Sequence, residues 1–427
     1  MAAIKEDEHV VDYRSRWAFW ILTAFTMFVY LRPQEILSGW SVMGVQRIFG
    51  VAVLAVCLFS MRGRIQNLFT NRLFLFYFIY IGAILLSIPF SLWPGGSAIF
   101  LVDVVLKEAV ILFAILVAIK NERQLILIFK LIVYCTTVVA VFTIVKYAGG
   151  QNLLAGYRAS LAQGIFFDPN DLALHFVFSL PLTYFLMFRP AKRKLLPVCL
   201  MIVLAAAVLV TFSRGGMLGL LSVAAAIWYL DRERRLFNAP VILVMLIIAA
   251  LLFPAAINRL STLTEFNTRP EESMLQRWSI TKEGVGIFSE NPVLGVGLDS
   301  FSIAEGRLHS SMGEWKAAHN SFIQVAAETG IFGLVGFAGC LFLILKSRRM
   351  KQESMPELFF VQCGIRACTI GFIVCGTFLS QAYSWYFIYL IGFSHVFQGI
   401  VNERSGDGEQ EKGELLDFDD RARSNSL

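Results

Sequence analysis

Apolar residues fill this chain in long runs, and polar residues are confined to short intervals between them. Runs of about 17 to 25 apolar residues are long enough to cross a bilayer as helices. Twelve are predicted, over 17–36, 42–61, 73–93, 98–119, 125–147, 171–188, 195–213, 215–230, 237–257, 320–345, 359–381 and 385–401. One long polar interruption breaks the series. The organisation expected is therefore transmembrane helices one to nine in 1–257, a loop over 258–319, helices ten to twelve in 320–401, and a polar tail over 402–427. The tail is rich in Asp, Glu, Arg and Ser and is expected to be disordered. The fold class is an all-α polytopic membrane protein, with no repeat of fixed period and no soluble domain beyond the long loop.

Composition supports this class. Of 427 residues, 57% are apolar and 16% charged, against about 45–50% and about 25% in soluble domains. Charge then adds orientation. Five alternate intervals, 62–72, 120–124, 189–194, 231–235 and 346–357, hold sixteen Lys and Arg residues. Basic residues collect on the cytoplasmic side, so both termini are expected inside and the 258–319 loop outside. The net charge of +6 is thus a matter of topology, and no nucleic-acid partner is expected. Membrane lipids are.

All seven cysteines (Cys57, Cys135, Cys199, Cys340, Cys363, Cys368 and Cys375) lie in apolar runs. They read as small buried hydrophobes, with no external disulfide and no thiolate-bound metal. The first run is followed by Arg32-Pro33-Gln34-Glu35 rather than by a small-residue cleavage site, so no cleavable signal peptide is expected.

The outward intervals are sparing with charge. They keep Arg158, Arg214 and, between Asn258 and His319, Arg259, Arg269, Arg277, Lys282, Arg307 and Lys316. A cation retained where the bias runs against it needs a reason, and binding an anion is one. Inside the spans, Asp103 and Lys107 stand four apart on one helix face, either pairing within the bundle or lining a cavity, and Arg366 lies in the eleventh span.

Several short stretches carry candidate chemistry. Ser213-Arg214-Gly215-Gly216 joins two apolar helices. Paired glycines let backbone unwind, which a membrane tolerates only beside protein or a wet cavity. Arg214 is then a cavity cation, or else an interfacial anchor. Arg277 sits in a segment with helical spacing of Leu275, Trp278, Ile280, Val285 and Phe288, expected to lie as an amphipathic helix in the interface. There it either meets a lipid phosphate or stays solvated.

The glycines of Gly295-Val296-Gly297 lack the strand of a dinucleotide loop and read as a tight turn after Pro292. His319 and Asn320 open the tenth span. Asn320 or Ser321 can cap its amides, and His319 is either a boundary residue or a base for a hydroxyl proton. Glu328 follows on the same helix. Upstream, Arg158 precedes Asp168-Pro169-Asn170-Asp171, which reads as a helix start. The five histidines show no paired spacing, so no metal is expected, and arginines can neutralise a diphosphate through forked hydrogen bonds.

In this order Arg158, Pro169-Asn170, Ser213 to Gly216, Arg277, PVLGVGLDSF (292–301) and HNSFIQVAAETGIFGL (319–334) resemble the O-antigen ligase and O-antigen polymerase superfamily of bacterial envelope glycan enzymes. The resemblance covers about Tyr157 to Phe337. LRPQEIL at 31–37 resembles a subgroup of these ligases associated with exopolysaccharide or protein-sorting gene sets.

The resemblance implies a multi-pass protein of the bacterial inner membrane. It implies glycan transfer on the periplasmic face from undecaprenyl diphosphate to a hydroxyl of lipid A core, without cofactor or metal and by a single chain. It implies His319, Arg214 and Arg277 as catalytic, and Arg158, Asn170, Ser213, Gly215, Gly295, Gly297, Asn320 and Glu328 as substrate-binding. A polymerase acting on a lipid-linked repeat and a ligase acting on protein Ser or Thr are alternatives that share this site. A lipid or polysaccharide transporter, using Asp103, Lys107 and Arg366, is the alternative of another class.

Overall fold

The structure is a computed structural model and describes residues 2–36, 43–60, 71–188, 194–231, 270–308, 315–347 and 355–424, with Leu68, Glu233, Met350 and Gln352. The expected ninth span (237–257), Arg259 and Arg269 fall outside the described residues, as do most of the basic residues used for orientation.

Among the described residues nearly all regular structure is helical. In order these are α1 (Ala2–Leu31), α2 (Pro33–Ile36), α3 (Met43–Phe59), α4 (Arg72–Ser87), α5 (Pro94–Phe100), α6 (Leu106–Ala118), α7 (Glu122–Ala148), α8 (Pro169–Leu182), α9 (Leu195–Val210) and α10 (Arg214–Leu230). After them come α11 (Pro270–Glu290), α12 (Phe301–Leu308), α13 (Ser321–Lys346), α14 (Pro356–Gly376) and α15 (Trp385–Ser424). Widened π turns at Leu101–Val105 and Thr183–Phe188 link α5 to α6 and extend α8. The only strands described are a two-residue antiparallel pair, Leu153–Leu154 with Arg158–Ala159.

Four described helices are long and apolar enough to cross a membrane: Glu122–Ala148, Pro169–Phe188, Ser321–Lys346 and Pro356–Gly376. α4, α9 and α10 are apolar but shorter. Among the described residues, turns at Ile88–Trp93 and Thr211–Ser213 end two of the expected apolar runs before their limits, so the helices there are shorter than the runs. α15 behaves in the opposite way. It continues past the apolar run to Ser424 where a disordered tail was expected from 402, and Arg404 pairs at 2.7 Å with the buried Glu122 at the start of α7.

α8 is the central element, its apolar window almost wholly enclosed. It packs on α7, α9, α10 and α14, while α13 lies along α4 and α15 along α6. Fully buried Phe129, Phe337, Phe372, Phe387 and Phe393 fill the space between them.

Residues 292–300 are held in place by a defect in α13. At Gly330 the helix takes φ +67° and ψ −163° and its ladder breaks. Unpaired backbone groups in apolar surroundings cost several kcal/mol each, so others must replace the lost partners. The carbonyls of Ala327 and Glu328 accept from Val296 N (2.8 Å) and Gly297 N (3.0 Å), and Ile331 N donates to Pro292 O (2.8 Å). On its far side the loop is pinned by Leu92 N to Val296 O (2.9 Å) and by Ser91 Oγ against Ser300 Oγ (2.9 Å). The turn expected at Gly295 and Gly297 is thus the patch that mends a broken helix.

The intramembrane charges take structural partners. Lys107 Nζ donates to Asp103 Oδ1 at 3.0 Å, with both side chains about half exposed on the helix surface. Arg366 donates to the carbonyl of Ser347 at the end of α13.

Gly330→Ala places a carbon 2.2 Å from the Val293 carbonyl oxygen in a left-handed backbone. We expect the backbone strain alone to cost about 1–3 kcal/mol, read as a lower melting temperature of the purified chain in detergent. Gly286→Ala, where the added carbon meets nothing within 4 Å, is the control and should leave melting unchanged or slightly raised.

Candidate active site

Four segments far apart in sequence converge at one end of the bundle: the strand and helix start around Arg158–Asn170, the turn into α10, the middle of α11, and the turn into α13. Each is fixed by a local device. Asp168 caps α8 through Oδ1, which accepts from Asn170 N at 2.7 Å, and Pro169 takes the first helical position, where its missing N–H costs nothing. Ser213 caps α10, its Oγ accepting from Gly216 N at 3.0 Å. Asn320 caps α13, its Oδ1 accepting from Phe322 N (2.9 Å) and Ile323 N (3.2 Å).

The caps are also cross-linked. Asn170 Oδ1 accepts from Ser213 Oγ at 2.7 Å and from Arg158 Nη2 at 2.9 Å, while its Nδ2 donates to Asp168 Oδ1 at 2.9 Å. Arg158 Nε donates to the Thr211 carbonyl at 3.2 Å, in the turn that precedes α10. The starts of α8 and α10 can approach because Gly216 has no side chain: a carbon there would lie 2.5 Å from Ala173 Cβ. Gly215 is closed in likewise by Phe378, with 2.9 Å to its Cβ.

Within this frame the three expected arginines come together. Arg158 feels both Arg277 and Arg214, and Arg277 feels Arg214. Burial comes first in lowering the pKa of Arg158 and of Arg277, and the neighbouring guanidinium groups lower it further. Arg158 and Arg277 remain cations despite this, since guanidinium does not lose its proton in proteins. The carboxylate that opposes them is Asp168, which favours the charged form of Arg158 and of Arg277.

His319 stands beside this cluster. Its backbone is left-handed (φ +47°), uncommon for a side-chain-bearing residue, and its N–H donates to Ser380 Oγ at 3.0 Å. Its pKa is lowered below 6.5, first by burial and then by Arg277, with Asp168 opposing. The ring is therefore neutral at pH 7 and able to accept a proton.

The structure brings Arg158, Asn170, Ser213, Arg214, Gly215, Arg277, His319 and Asn320 into one region. Asn170, Ser213 and Asn320 serve there as braces. Gly295, Gly297 and Glu328 are placed elsewhere, at the break in α13. A carbon on Gly295 would strike the backbone of Glu328 and one on Gly297 would strike Ser91, and Glu328 Oε1 accepts from Phe301 N at 3.3 Å.

α11 packs on protein along one side. Ile280, Gly284 and Ile287 form its buried stripe, against Phe301 and Ile323, while Trp278 (60%) and Val285 (52%) are exposed. Of the expected apolar residues, Ile280 therefore docks on protein and Phe288 is half-buried, while Trp278 and Val285 face outward; the Leu275 side chain lies outside the described residues. Asp168 and Ser380 are the site residues that sequence reasoning did not single out. Asp168 was visible as a cap, but only the fold shows which cations it faces; Ser380 was taken into the end of an apolar run.

A family model for O-antigen ligase matches residues 198–338, which supports the O-antigen ligase family for this chain. The family covers ligases and polymerases that are glycosyltransferase-like. The match takes in Ser213 to Gly216, Arg277 and His319 to Glu328; Arg158 and Asn170 lie before it. No curated protein matches the chain.

Asp168→Asn keeps the helix cap, since Asn caps as well as Asp, but removes the charge that favours imidazolium. The His319 titration should move to still lower pH, measured by NMR on ring-labelled histidine and assigned by subtracting a His319→Gln spectrum. An unmoved or raised titration would show that the carboxylate does not act on the ring.

Proposed function

We propose that this chain is a member of the O-antigen ligase family and transfers a glycan from undecaprenyl diphosphate to an acceptor hydroxyl, on the periplasmic face of the bacterial inner membrane. The observation that carries the reading is a cluster of cations: among the described residues Arg158 and Arg277 lie in the field of Arg214 and of each other, with Asp168 the carboxylate that acts on both, beside a His319 whose pKa is lowered. Among the described residues this region holds more guanidinium than carboxylate, which favours a multiply charged anion, and a diphosphate suits it.

In the proposed reaction His319 accepts the proton of the acceptor hydroxyl. The freed oxygen pair attacks the anomeric carbon, the bond from that carbon to the phosphate oxygen breaks, and undecaprenyl diphosphate leaves with the electron pair. Attack from the face opposite the diphosphate inverts the anomeric centre. Arg214 and Arg277 stabilise charge building on the leaving diphosphate, a preorganised contribution of on the order of a hundredfold or more per donor. Arg158, held by Asn170 and Thr211, sets the position of the cluster more than it reaches outward.

Lipid A core is the acceptor we assign first, which makes the protein an O-antigen ligase. A lipid-linked repeat or a protein hydroxyl are the other acceptors the same chemistry would serve. Gene deletion separates the first two: loss of a ligase leaves long chains on undecaprenyl diphosphate and none on core, and loss of a polymerase leaves single repeats on core. The transporter alternative is weakened by the partners of its candidate coupling residues, since Asp103 pairs with Lys107 on the helix surface and Arg366 binds a helix-end carbonyl.

Purified chain, given a synthetic undecaprenyl diphosphate glycan and an acceptor, should turn over without ATP. Arg214→Ala and Arg277→Ala should each lower the rate about a hundredfold or more, and His319→Ala about 10²- to 10⁴-fold, with unchanged melting temperatures. Arg277→Lys should be poor as well, since a point charge does not replace a fork. Full activity in the His319 variant would remove the base from the mechanism.

A further inference from the structure

One motif plays no part in the transfer chemistry: Arg32-Pro33-Gln34-Glu35, whose Arg32 joins α1 to α2 and whose other residues are the first three of α2. Arg32 has left-handed backbone (φ +45°), a conformation side-chain-bearing residues seldom adopt and one that recurs at functional sites. Its guanidinium pairs with Glu35 Oε1 and lies over the Trp385 ring, 4.2 Å from the centroid, with Phe166 at 5.4 Å. Glu35 is buried and its second oxygen accepts from Phe166 N at 2.9 Å. A carbon on Gly164 would lie 2.3 Å from the Glu35 carboxyl carbon, so this approach needs glycine there. Gln163 Nε2 adds a bond to the Gln34 carbonyl at 2.5 Å.

Both segments this pair touches help to hold the site. Phe166 stands two residues before Asp168, which faces Arg158, Arg277 and His319. Trp385 opens α15, and the residues before it carry the support of His319. Ser380 Oγ accepts from His319 N (3.0 Å), and Ser321 Oγ donates to Leu379 O (2.7 Å) and accepts from Gln381 N (2.9 Å). Gln381 Nε2 then returns to Asp171 Oδ1 at 2.8 Å, beside Asn170. Arg32 therefore differs in kind from the site arginines. Its charge is met by Glu35 and its face is covered by indole, whereas Arg158 and Arg277 share Asp168 among the described residues.

We propose that the Arg32–Glu35 pair is a positioning element, clamping the Asp168 segment to the segment that supports His319 so that acid, base and cations keep one geometry. The inference rests on the transfer reaction proposed above. A small misplacement of reacting groups can cost about a hundredfold in rate, so the effect belongs in kcat and not in donor binding.

The test uses the full chain in lipid nanodiscs, with Arg32→Lys, Glu35→Gln and the double variant Arg32→Met/Glu35→Gln. The double variant removes both charges without leaving one buried alone, and so keeps a folded sample in hand if a single change does not fold. Two readouts are taken: kcat and KM for the synthetic lipid diphosphate donor, and hydrogen–deuterium exchange over 157–171, 315–321 and 377–385.

We expect kcat to fall about tenfold to a hundredfold with donor KM changed less than about threefold. Exchange should rise in all three segments together and stay unchanged in α7 and α14, and the double variant should be no worse than the worse single one. Unchanged kcat overturns the proposal, as does a KM that rises as much as kcat falls, since Arg32 would then grip the donor. A uniform rise of exchange across the chain also overturns it, by making the pair a general stabiliser. If the unmodified chain transfers nothing, the transfer reading fails by itself, and the segment pattern of exchange still decides whether the clamp exists.

Discussion

Cations packed together, with Asp168 the one carboxylate set against them among the described residues, are the constraint from which the arrangement of the site follows. Burial raises the energy of charged Arg158 and Arg277, because charge is solvated less well away from water, and the neighbouring guanidinium groups raise it further. Such a cluster persists only if the surrounding structure holds it. Here the holding is done by polar side chains already committed to helix caps: Asp168 on α8, Ser213 on α10, Asn320 on α13. Asn170 joins two of these caps to Arg158. A frame of neutral hydrogen bonds can fix a guanidinium without cancelling its charge, which leaves the charge for a ligand.

The same environment that makes the cations costly makes the base useful. His319 is kept neutral by burial and by Arg277, so an acceptor hydroxyl would meet an imidazole and not an imidazolium. Asp168 opposes both effects and limits how far the pKa falls. One carboxylate thus tunes the cations and the ring at once. In the proposed transfer, the anion would restore the charge balance while the ring carries the proton.

Backbone in apolar surroundings imposes the second constraint, and it shapes the scaffold on the other side of His319. α13 begins at the site and breaks at Gly330, and its freed carbonyls and amide are taken up by residues 292–297. That exchange locks the end of α11 to α13, where Ile280, Gly284 and Ile287 pack against Phe301 and Ile323. The helix carrying Arg277 is thereby held against the helix that His319 precedes. Gly295, Gly297 and Glu328, expected to meet the substrate, instead belong to this joint.

Apolar runs, glycine pairs and capping residues are local properties, and from them the sequence determined the all-helical class, the starts of α8, α10 and α13, and the set of cations worth attention. The signal is local because a helix cap or an apolar run depends on neighbours a few residues away. Only the tertiary structure decided which cations meet, because Arg158, Arg214 and Arg277 are joined by no spacing along the chain. It alone showed that Asp168 faces them, that Ile280 rather than Trp278 turns inward on α11, and that Arg32 is matched by Glu35 under Trp385. Charge acts through space, across elements whose packing sets the distances, and no periodicity in a single strand of sequence records those distances.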